Sequence, residues 1–544
     1  MTSELTDDRT DVAGRPTGSR LDDWWGRVLR TSTRVAVWRW TGPLAVTVLA
    51  ALLRLVALGT PHALVFDETY YVKDGWSIVH LGYEGTWPAN STEDGAPTTD
   101  QRFADGQTDL YTSAAEFIAH PPLGKYLIGL GMLLFGADNA FGWRFTVAVL
   151  GTATVFLTAV IARSLFRSTL VGTLAGFLLA VDGQAIVLSR VTLLDGILTF
   201  FVVLGAGALL LDRRWTERRL DAWVSRRVAA GKATLWGPFL WWRPWLVAMG
   251  LALGLATATK WSGLYFLAFF AVYSVLSDML MRRRAGIAFW SSSAVLQQAP
   301  VSFLLTVPIA AATYLASWTG WFVSRDGWDR DWIGTGGGQR WTGVLAWVPD
   351  SLQNWWHYQS EIYGFNIGLH TPHSYQANPL LWLVMQRPTS MYYVGTDAGQ
   401  DGCTASRCGE AITGIANPFI WYAAVAAVIA LVVLWSMRRR WEYGFVLLGV
   451  AAGYLPWLMY VDRTVFQFYT IAFEPFMVMA LAAVIGLVLG RRTDERSRRT
   501  RAIVWVGVYL GVVVLASAYW YPMWTAMQMP WDFIRSHYWI PSWL

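Results

Sequence analysis

The chain has 544 residues, with 43 Lys and Arg against 37 Asp and Glu, a formal charge of +6, 54% hydrophobic residues and only 15% charged ones. Its mean hydropathy is +0.35, and apolar runs recur from residue 43 to residue 520, which excludes a soluble globular protein and marks a polytopic membrane protein. The basic excess sits in a few loops between those runs rather than on one long face, so no nucleic-acid partner is expected.

Residues 1–40 are polar, of mixed charge, and lack the basic start and short apolar core of a signal peptide; they are expected to form a disordered cytoplasmic tail. A bilayer span needs about 20 apolar residues. Candidates follow at 43–58, 143–163, 169–183, 190–211, 245–259, 262–281, 300–317, 417–436, 443–460, 466–490 and 502–521.

The stretch 123–137 is also apolar, and counting it as a span would reverse the side of every later loop. Arg163 and Arg167, the segment from Arg213 to Arg243, Arg282 to Arg284, Arg438 to Arg440, and Arg491 to Arg501 share a side with the amino terminus only if it does not cross. It is therefore read as an interfacial helix on the outer leaflet, against a competing reading as a short true span with an error elsewhere. The expected fold is all-α, a polytopic transmembrane helix bundle of about 11 spans. It occupies residues 41–522, with large outward loops at 59–142 and 318–416 containing interfacial helices, and an extracytoplasmic tail at 523–544.

The chemistry is expected in the outward loops. Asp67 and Glu68 stand just past the first span, where unpaired carboxylates are expensive and ask for a function; the bland reading is neutralisation of nearby cations. Arg144, at the head of the next span, is either a simple anchor or a site residue, and Lys125 either snorkels to lipid headgroups or serves the site. Shorter outer turns carry Asp182, Arg190 with Asp195, Lys260-Trp261, and Asp462-Arg463. Arg190 and Asp195 are expected to brace one another across their turn.

Cys403 and Cys408 are the only cysteines and share the second outward loop, so a disulfide is expected in an oxidising exterior. A mixed metal site with His357, His370 and His373 is the competing arrangement. Of the 34 tryptophans, Trp318, Trp321, Trp328, Trp332, Trp341, Trp347, Trp355 and Trp356 crowd one outer stretch. Interfacial anchoring accounts for them, with stacking on sugar or peptide as the second reading.

No glycine-rich nucleotide fingerprint is present. A lipid-borne donor suits acids and bases at a membrane surface: a polyprenyl phosphate sugar keeps its tail in the bilayer and presents its phosphate to Lys and Arg. A carboxylate can take the proton of an attacking hydroxyl, and cations can steady the departing phosphate.

Several motifs together resemble the protein O-mannosyltransferases, polytopic enzymes of the glycosyltransferase C class, and specifically their bacterial, actinobacterial-type branch. They are Phe66-Asp67-Glu68-Thr69-Tyr70-Tyr71, His120-Pro121-Pro122-Leu123-Gly124-Lys125, Gly142-Trp143-Arg144, Asp182-Gly183-Gln184 with Ser189-Arg190 and Leu194-Asp195, and His370-Thr371-Pro372-His373-Ser374-Tyr375 with Arg387-Pro388. The resemblance covers most of residues 40–520. It implies transfer of mannose, with inversion, from a polyprenyl phosphate mannose donor to Ser or Thr of an exported polypeptide at the outer membrane face, with the protein export machinery as a further candidate partner.

In that scheme Asp67 is the general base and Glu68 orients the site through Arg144. Lys125 and Arg463, aided by Gln467 and Tyr469, hold the donor phosphate, with His120, Asp182, Arg190, Asp195, His370 and His373 in support. No cofactor or metal is expected. The chain departs from its eukaryotic relatives in lacking room for a soluble module in the second outward loop, and a His-containing run that some relatives carry reads Arg463 to Tyr469 here. Two other classes stay in view. One is a polyprenyl-phosphate-dependent glycosyltransferase acting on a glycan or lipid; the other is a secondary transporter, which would show midplane ionisable residues and a repeat not detected here.

Overall fold

The computed structural model describes residues 17–90 and 95–544. Helices α1 (Arg20–Val28), α2 (Ser32–Leu55), α3 (Glu68–Leu81), α4 (Thr99–Ala104), α5 (Leu123–Phe135), α6 (Ala140–Phe166), α7 (Thr169–Val181), α8 (Gly183–Val187), α9 (Leu194–Ala229), α10 (Pro244–Thr259) and α11 (Gly263–Arg284) follow in order. Five further apolar segments, Trp290–Ser317, Pro418–Arg438, Trp441–Met459, Glu474–Leu489 and Arg496–Trp524, complete the bundle.

Eight of these helices are long and apolar enough to cross a membrane: α2, α6, α9, α11, Trp290–Ser317, Pro418–Arg438, Trp441–Met459 and Arg496–Trp524. With the shorter apolar helices α7, α10 and Glu474–Leu489 they make, among the described residues, eleven segments running alternately toward and away from one face. That face carries the long connections 56–139 and 318–417.

The short helix α5 belongs to this face at both ends. A Cβ on Gly124, in its first turn, would lie 2.5 Å from Leu194 at the start of α9 and 3.1 Å from Thr259 at the end of α10. Its other end turns directly into α6, where Asn139 caps the helix by accepting the Gly142 N–H at 2.9 Å. Both ends therefore sit on one face, so α5 lies along this layer instead of traversing the bundle.

The tail expected over residues 1–40 is helical from Arg20 on, while residues 1–16 lie outside the described residues. Local caps account for the difference. Ser19 and Asp22 form a capping box at α1, and the Thr31 hydroxyl accepts the Arg34 N–H at the start of α2. Asp22 then accepts from Arg499 Nε at 2.9 Å, and Asp23 pairs with Arg496 at 3.2 Å, which fastens α1 to the last helix.

The second outward loop contains more than helix. Strands β1 (Ser390–Asp397), β2 (Arg407–Thr413) and β3 (Met529–Pro530) form an antiparallel sheet in the order β1-β2-β3. Cys403 and Cys408 are bonded, S–S 2.03 Å, across the end of the hairpin. The residues after 523 are docked rather than loose, because β3 pairs with Cys408 and Gly409, and Trp543 Nε1 donates to the Met385 carbonyl at 2.7 Å.

Trp318 and Trp321, expected at an interface, are buried with Tyr358, Ile118 and Ile362 in an aromatic knot that ties the two long connections together. Trp347 and Trp356 are exposed, at 78% and 58%. The main core is built on α6, α7, α9 and Glu474–Leu489, and the site lies at its edge.

Candidate active site

Asp67 precedes the first turn of α3, reached through Phe66, whose φ of +53° is unusual for a bulky residue. Holding such a residue there costs on the order of 1 kcal/mol. The Phe66 ring supplies the counterweight: it meets Phe466, Phe468 and His373 edge-on at 5.8, 5.9 and 5.9 Å. Tyr71 and Asp74 follow at four and seven residues and share the Asp67 side of the helix.

No hydrogen bond or ion pair reaches the half-buried Asp67 carboxylate among the described residues. Burial pushes its carboxyl up to about 6; Lys260 pulls the other way, and Asp195 adds to the rise. Lys260, between α10 and α11, is clasped by Asp195 at 2.9 Å to both oxygens and lies 3.8 Å over the Tyr469 ring. Burial opposes its charge, but Asp195, Tyr469 and Asp67 more than compensate and raise it above the ordinary lysine range.

Glu68 is buried and saturated. Arg144 donates through Nε to Oε1 at 2.9 Å and through Nη2 to Oε2 at 2.8 Å, the Thr192 N–H donates to Oε1, and the Val65 N–H to Oε2, both at 2.8 Å. Arg144 also donates to the carbonyls of Leu58, Pro61 and Ala63. The pair staples the strap before α3 onto α6 and the α8–α9 turn. Every Arg144 nitrogen is committed, which leaves it a positioning residue.

Lys125 departs from expectation. The residue is 1% exposed, and its ammonium lies between Asp74 at 2.8 Å and Glu84 at 3.2 Å. It neutralises two carboxylates and has no open side for a phosphate. Close approach brings it there: α3 and α5 cross at Gly75 and Gly129, where a Cβ on Gly129 would meet the Gly75 carbonyl at 2.4 Å.

Arg190 does not brace Asp195. It donates to the carbonyls of Arg54, Val56 and Ala57 at 2.9, 2.8 and 2.7 Å and so closes the end of α2, while Asp195 belongs to Lys260. A helix terminus with unpaired carbonyls outbids a carboxylate already held by a lysine.

Asp182 accepts the N–H groups of Gln184, Ala185 and Asn417 and joins α8 to the Pro418–Arg438 helix, away from Asp67.

Arg463 is better placed than Lys125. Its Nη2 donates to Asn366 at 2.9 Å, its Nε has no partner, and no carboxylate pairs with it among the described residues. Gln467 donates to the Trp382 carbonyl at 3.0 Å and its Oε1 is unpaired. His120 sits 6.1 Å from the Tyr71 ring, and burial, then Lys260, Lys125 and Arg463, drive its pKa well below the usual histidine range, so it is neutral near pH 7. His373 packs on Phe466 at 5.0 Å and supports Phe66, whereas His370 donates to the Asp462 carbonyl at the surface.

His357 stacks on Trp332 at 3.9 Å and faces Asp329, and the disulfide leaves neither cysteine as a thiolate beside it. Among the described residues no three His, Cys, Asp or Glu are grouped to hold a metal.

Sequence reasoning singled out Lys260 on an outer turn and Tyr71 in a motif without giving either a role, and missed Asp74 and Glu84 as members of the cluster. The periodic signal Asp67, Tyr71, Asp74 was present in the chain. The partners at Glu84 and Asp195 carried no signal at all, because the contacts close over 41 and 65 residues.

Residues 135–317 match the family described as dolichyl-phosphate-mannose-protein mannosyltransferase, and residues 351–543 match the C-terminal four TMM region of protein-O-mannosyltransferase. Over 513 residues the chain is 34% identical to a polyprenol-phosphate-mannose–protein mannosyltransferase of Mycolicibacterium smegmatis, covering 93% of each. The chain belongs to the protein O-mannosyltransferase family. A Mycobacterium tuberculosis member of the same name is 34% identical over 521 residues, covering 94% of this chain and 92% of that one. The fold of this protein O-mannosyltransferase family member is that of the S. cerevisiae protein O-mannosyltransferase Pmt1-Pmt2 complex bound to the sugar donor. The match has a TM-score of 0.69 and 14% identity, covering 97% of this chain and 95% of that one. The all-α glycosyltransferase C bundle expected from sequence is thereby borne out.

Proposed function

We propose that the chain transfers mannose from a polyprenyl phosphate to a Ser or Thr hydroxyl of an exported polypeptide, with Asp67 as general base. The observation that carries this reading is the lone carboxylate. Glu68 is paired with Arg144, Asp74 and Glu84 with Lys125, and Asp195 with Lys260, while Asp67 has no partner among the described residues and a pKa of about 6, close to the value that serves a base near neutral pH.

The acceptor oxygen attacks the anomeric carbon as Asp67 takes its proton, and the bond electrons of the sugar–oxygen bond leave with the polyprenyl phosphate. Attack opposite the leaving group inverts the centre. Arg463 faces the charge that gathers on the phosphate, and Lys260 holds the field beside Asp67 from its pair with Asp195. A cavity of about 500 Å³, lined by Trp261, Leu264, Val307, Tyr314 and Tyr363, suits the prenyl chain. Tyr363 and Asn366 lie one turn apart on the Asp350–Ile367 helix, so the cavity adjoins the residue that holds Arg463. The site face is outward and the basic loops cytoplasmic, which lets an emerging polypeptide meet the donor beside the protein export machinery.

Membranes carrying the wild type or Asp67→Asn, given radiolabelled polyprenyl phosphate mannose and a Thr-rich peptide, test the proposal. Peptide labelling falls about 10²- to 10⁴-fold in the variant. Equal labelling removes Asp67 from the reaction, and label that enters only lipid or glycan identifies a different acceptor.

A further inference from the structure

The face opposite the site carries a second charged cavity. It measures about 700 Å³ and is lined by Arg39 from the first half of α2, Arg163 and Arg167 from the end of α6, and Arg214 and Arg218, with Glu217, from the middle of α9. Elsewhere on this face some cations have acids, as Arg243 has Asp212 and Asp278, Arg499 has Asp22, and Arg440 has Glu442, while others stand singly on neutral acceptors, as Arg213 does on Ser277 and Arg282 on Ser293 and Gln298. Around this cavity one carboxylate stands against five guanidiniums, and none of the five closes an ion pair among the described residues.

Arginines that only mark the cytoplasmic side fan out into water. These converge on one cavity, and three of them are held. Arg163 donates to the Arg39 carbonyl and stacks over the Trp40 ring at 4.4 Å. Arg214 donates to both the hydroxyl and the carbonyl of Ser164, and Arg218 to the Arg214 carbonyl at 3.1 Å. Neutral acceptors fix Arg163, Arg214 and Arg218 at no expense of charge, and Arg39 and Arg167 stand exposed beside them, so the positive field in the cavity is not cancelled. An arrangement of like charges at close quarters is costly unless an anion completes it.

We propose that this cavity binds the phosphate of an anionic phospholipid headgroup from the leaflet opposite the catalytic face. Guanidinium forks match phosphate oxygens in pairs. A lipid fits better than a soluble phosphate because the surroundings are those of an acyl chain: Trp40, Leu170 and Leu211 are exposed at 49%, 43% and 38% beside the arginines. Basic pockets between the cytoplasmic ends of membrane helices recognise headgroups in this way.

Native mass spectrometry of the full-length protein in mild detergent, loaded with phosphatidylglycerol or phosphatidylcholine, tests the assignment. Phosphatidylglycerol is retained and phosphatidylcholine is not. The triple variant Arg39→Gln, Arg167→Gln, Arg218→Gln binds on the order of a hundredfold more weakly, about fivefold per arginine, with its unfolding midpoint in lipid-free detergent unchanged. If that variant does not fold, the matching Arg→Lys triple, which keeps the charge but loses the guanidinium forks, binds phosphatidylglycerol more weakly than the wild type. Equal retention of both lipids, full retention in the Gln triple, or full retention in the Lys triple overturns the proposal. Displacement of phosphatidylglycerol by millimolar inorganic phosphate also overturns it, in favour of a soluble anion.

Discussion

If Asp67 is kept ionised for chemistry, the fold is less stable for it, and Asp67→Asn makes the protein more stable while abolishing transfer. The carboxyl holds its proton to about pH 6 in the folded chain and to about 3.8 as a free side chain. Between those values the folded state binds more protons than the unfolded one, so stability falls as pH rises and the full penalty stands above about pH 6. About two units correspond to an upper limit of roughly 3 kcal/mol; because the carboxyl is half-buried and keeps part of its water, we expect about half of that. Asparagine keeps the shape and cannot ionise. Denaturant unfolding in detergent, followed by tryptophan fluorescence, gives Asp67→Asn the higher midpoint at pH 7.5, with the advantage vanishing near pH 4. A lower midpoint at pH 7.5, or a gain that does not depend on pH, refutes the reasoning, because either result means that Asp67 is held by a structural partner.

Glu68→Gln has the opposite signature: it leaves Arg144 buried without a counter-charge, costs about 3–5 kcal/mol, and shows in the same unfolding assay as a lower midpoint at pH 7.5. The pH dependence of kcat/KM falls on the acid side with an inflection near 6, the value set at Asp67; Asp195→Asn removes a negative neighbour and frees Lys260, moving that inflection down. An inflection that stays put or rises separates Asp195 from the electrostatics of the base. Arg463→Gln lowers kcat/KM for the lipid donor about 10- to 100-fold, as expected for one charge-assisted hydrogen bond, measured at fixed peptide with varied donor.

The class and the alternation of helical segments were legible in the chain because each rests on local pattern, apolar length and basic loops; the Glu68–Arg144 pair, 76 residues apart, came only through the family resemblance. Lys125 and Arg190 were assigned by that same local logic and went astray. Nothing near Lys125 in sequence signals Glu84, and nothing near Arg190 signals the carbonyls at the end of α2; both destinations are set by which helix ends share a layer. The α1 helix was hidden for a different reason. It has little apolar content, and its order comes from caps and from Arg496 and Arg499, more than 470 residues away.

The charges around Asp67 also suit the direction of the reaction. In the proposed transfer the reacting groups begin with about two negative charges, one on Asp67 and one on the diester phosphate of the donor; afterwards Asp67 is protonated and the departing phosphate holds both at pH above its second ionisation, near 6. Total charge at the site is conserved, and what changes is position, since negative charge leaves a desolvated carboxyl and arrives at Arg463. The Lys260–Asp195 pair is neutral before and after, so it fixes the field without following the charge. A second free acid beside Asp67 would oppose this movement. The pairing of Glu68, Asp74, Glu84 and Asp195 with cations is therefore a condition for the displacement to run toward product, and the proton left on Asp67, near pH 6, returns to water without a further base.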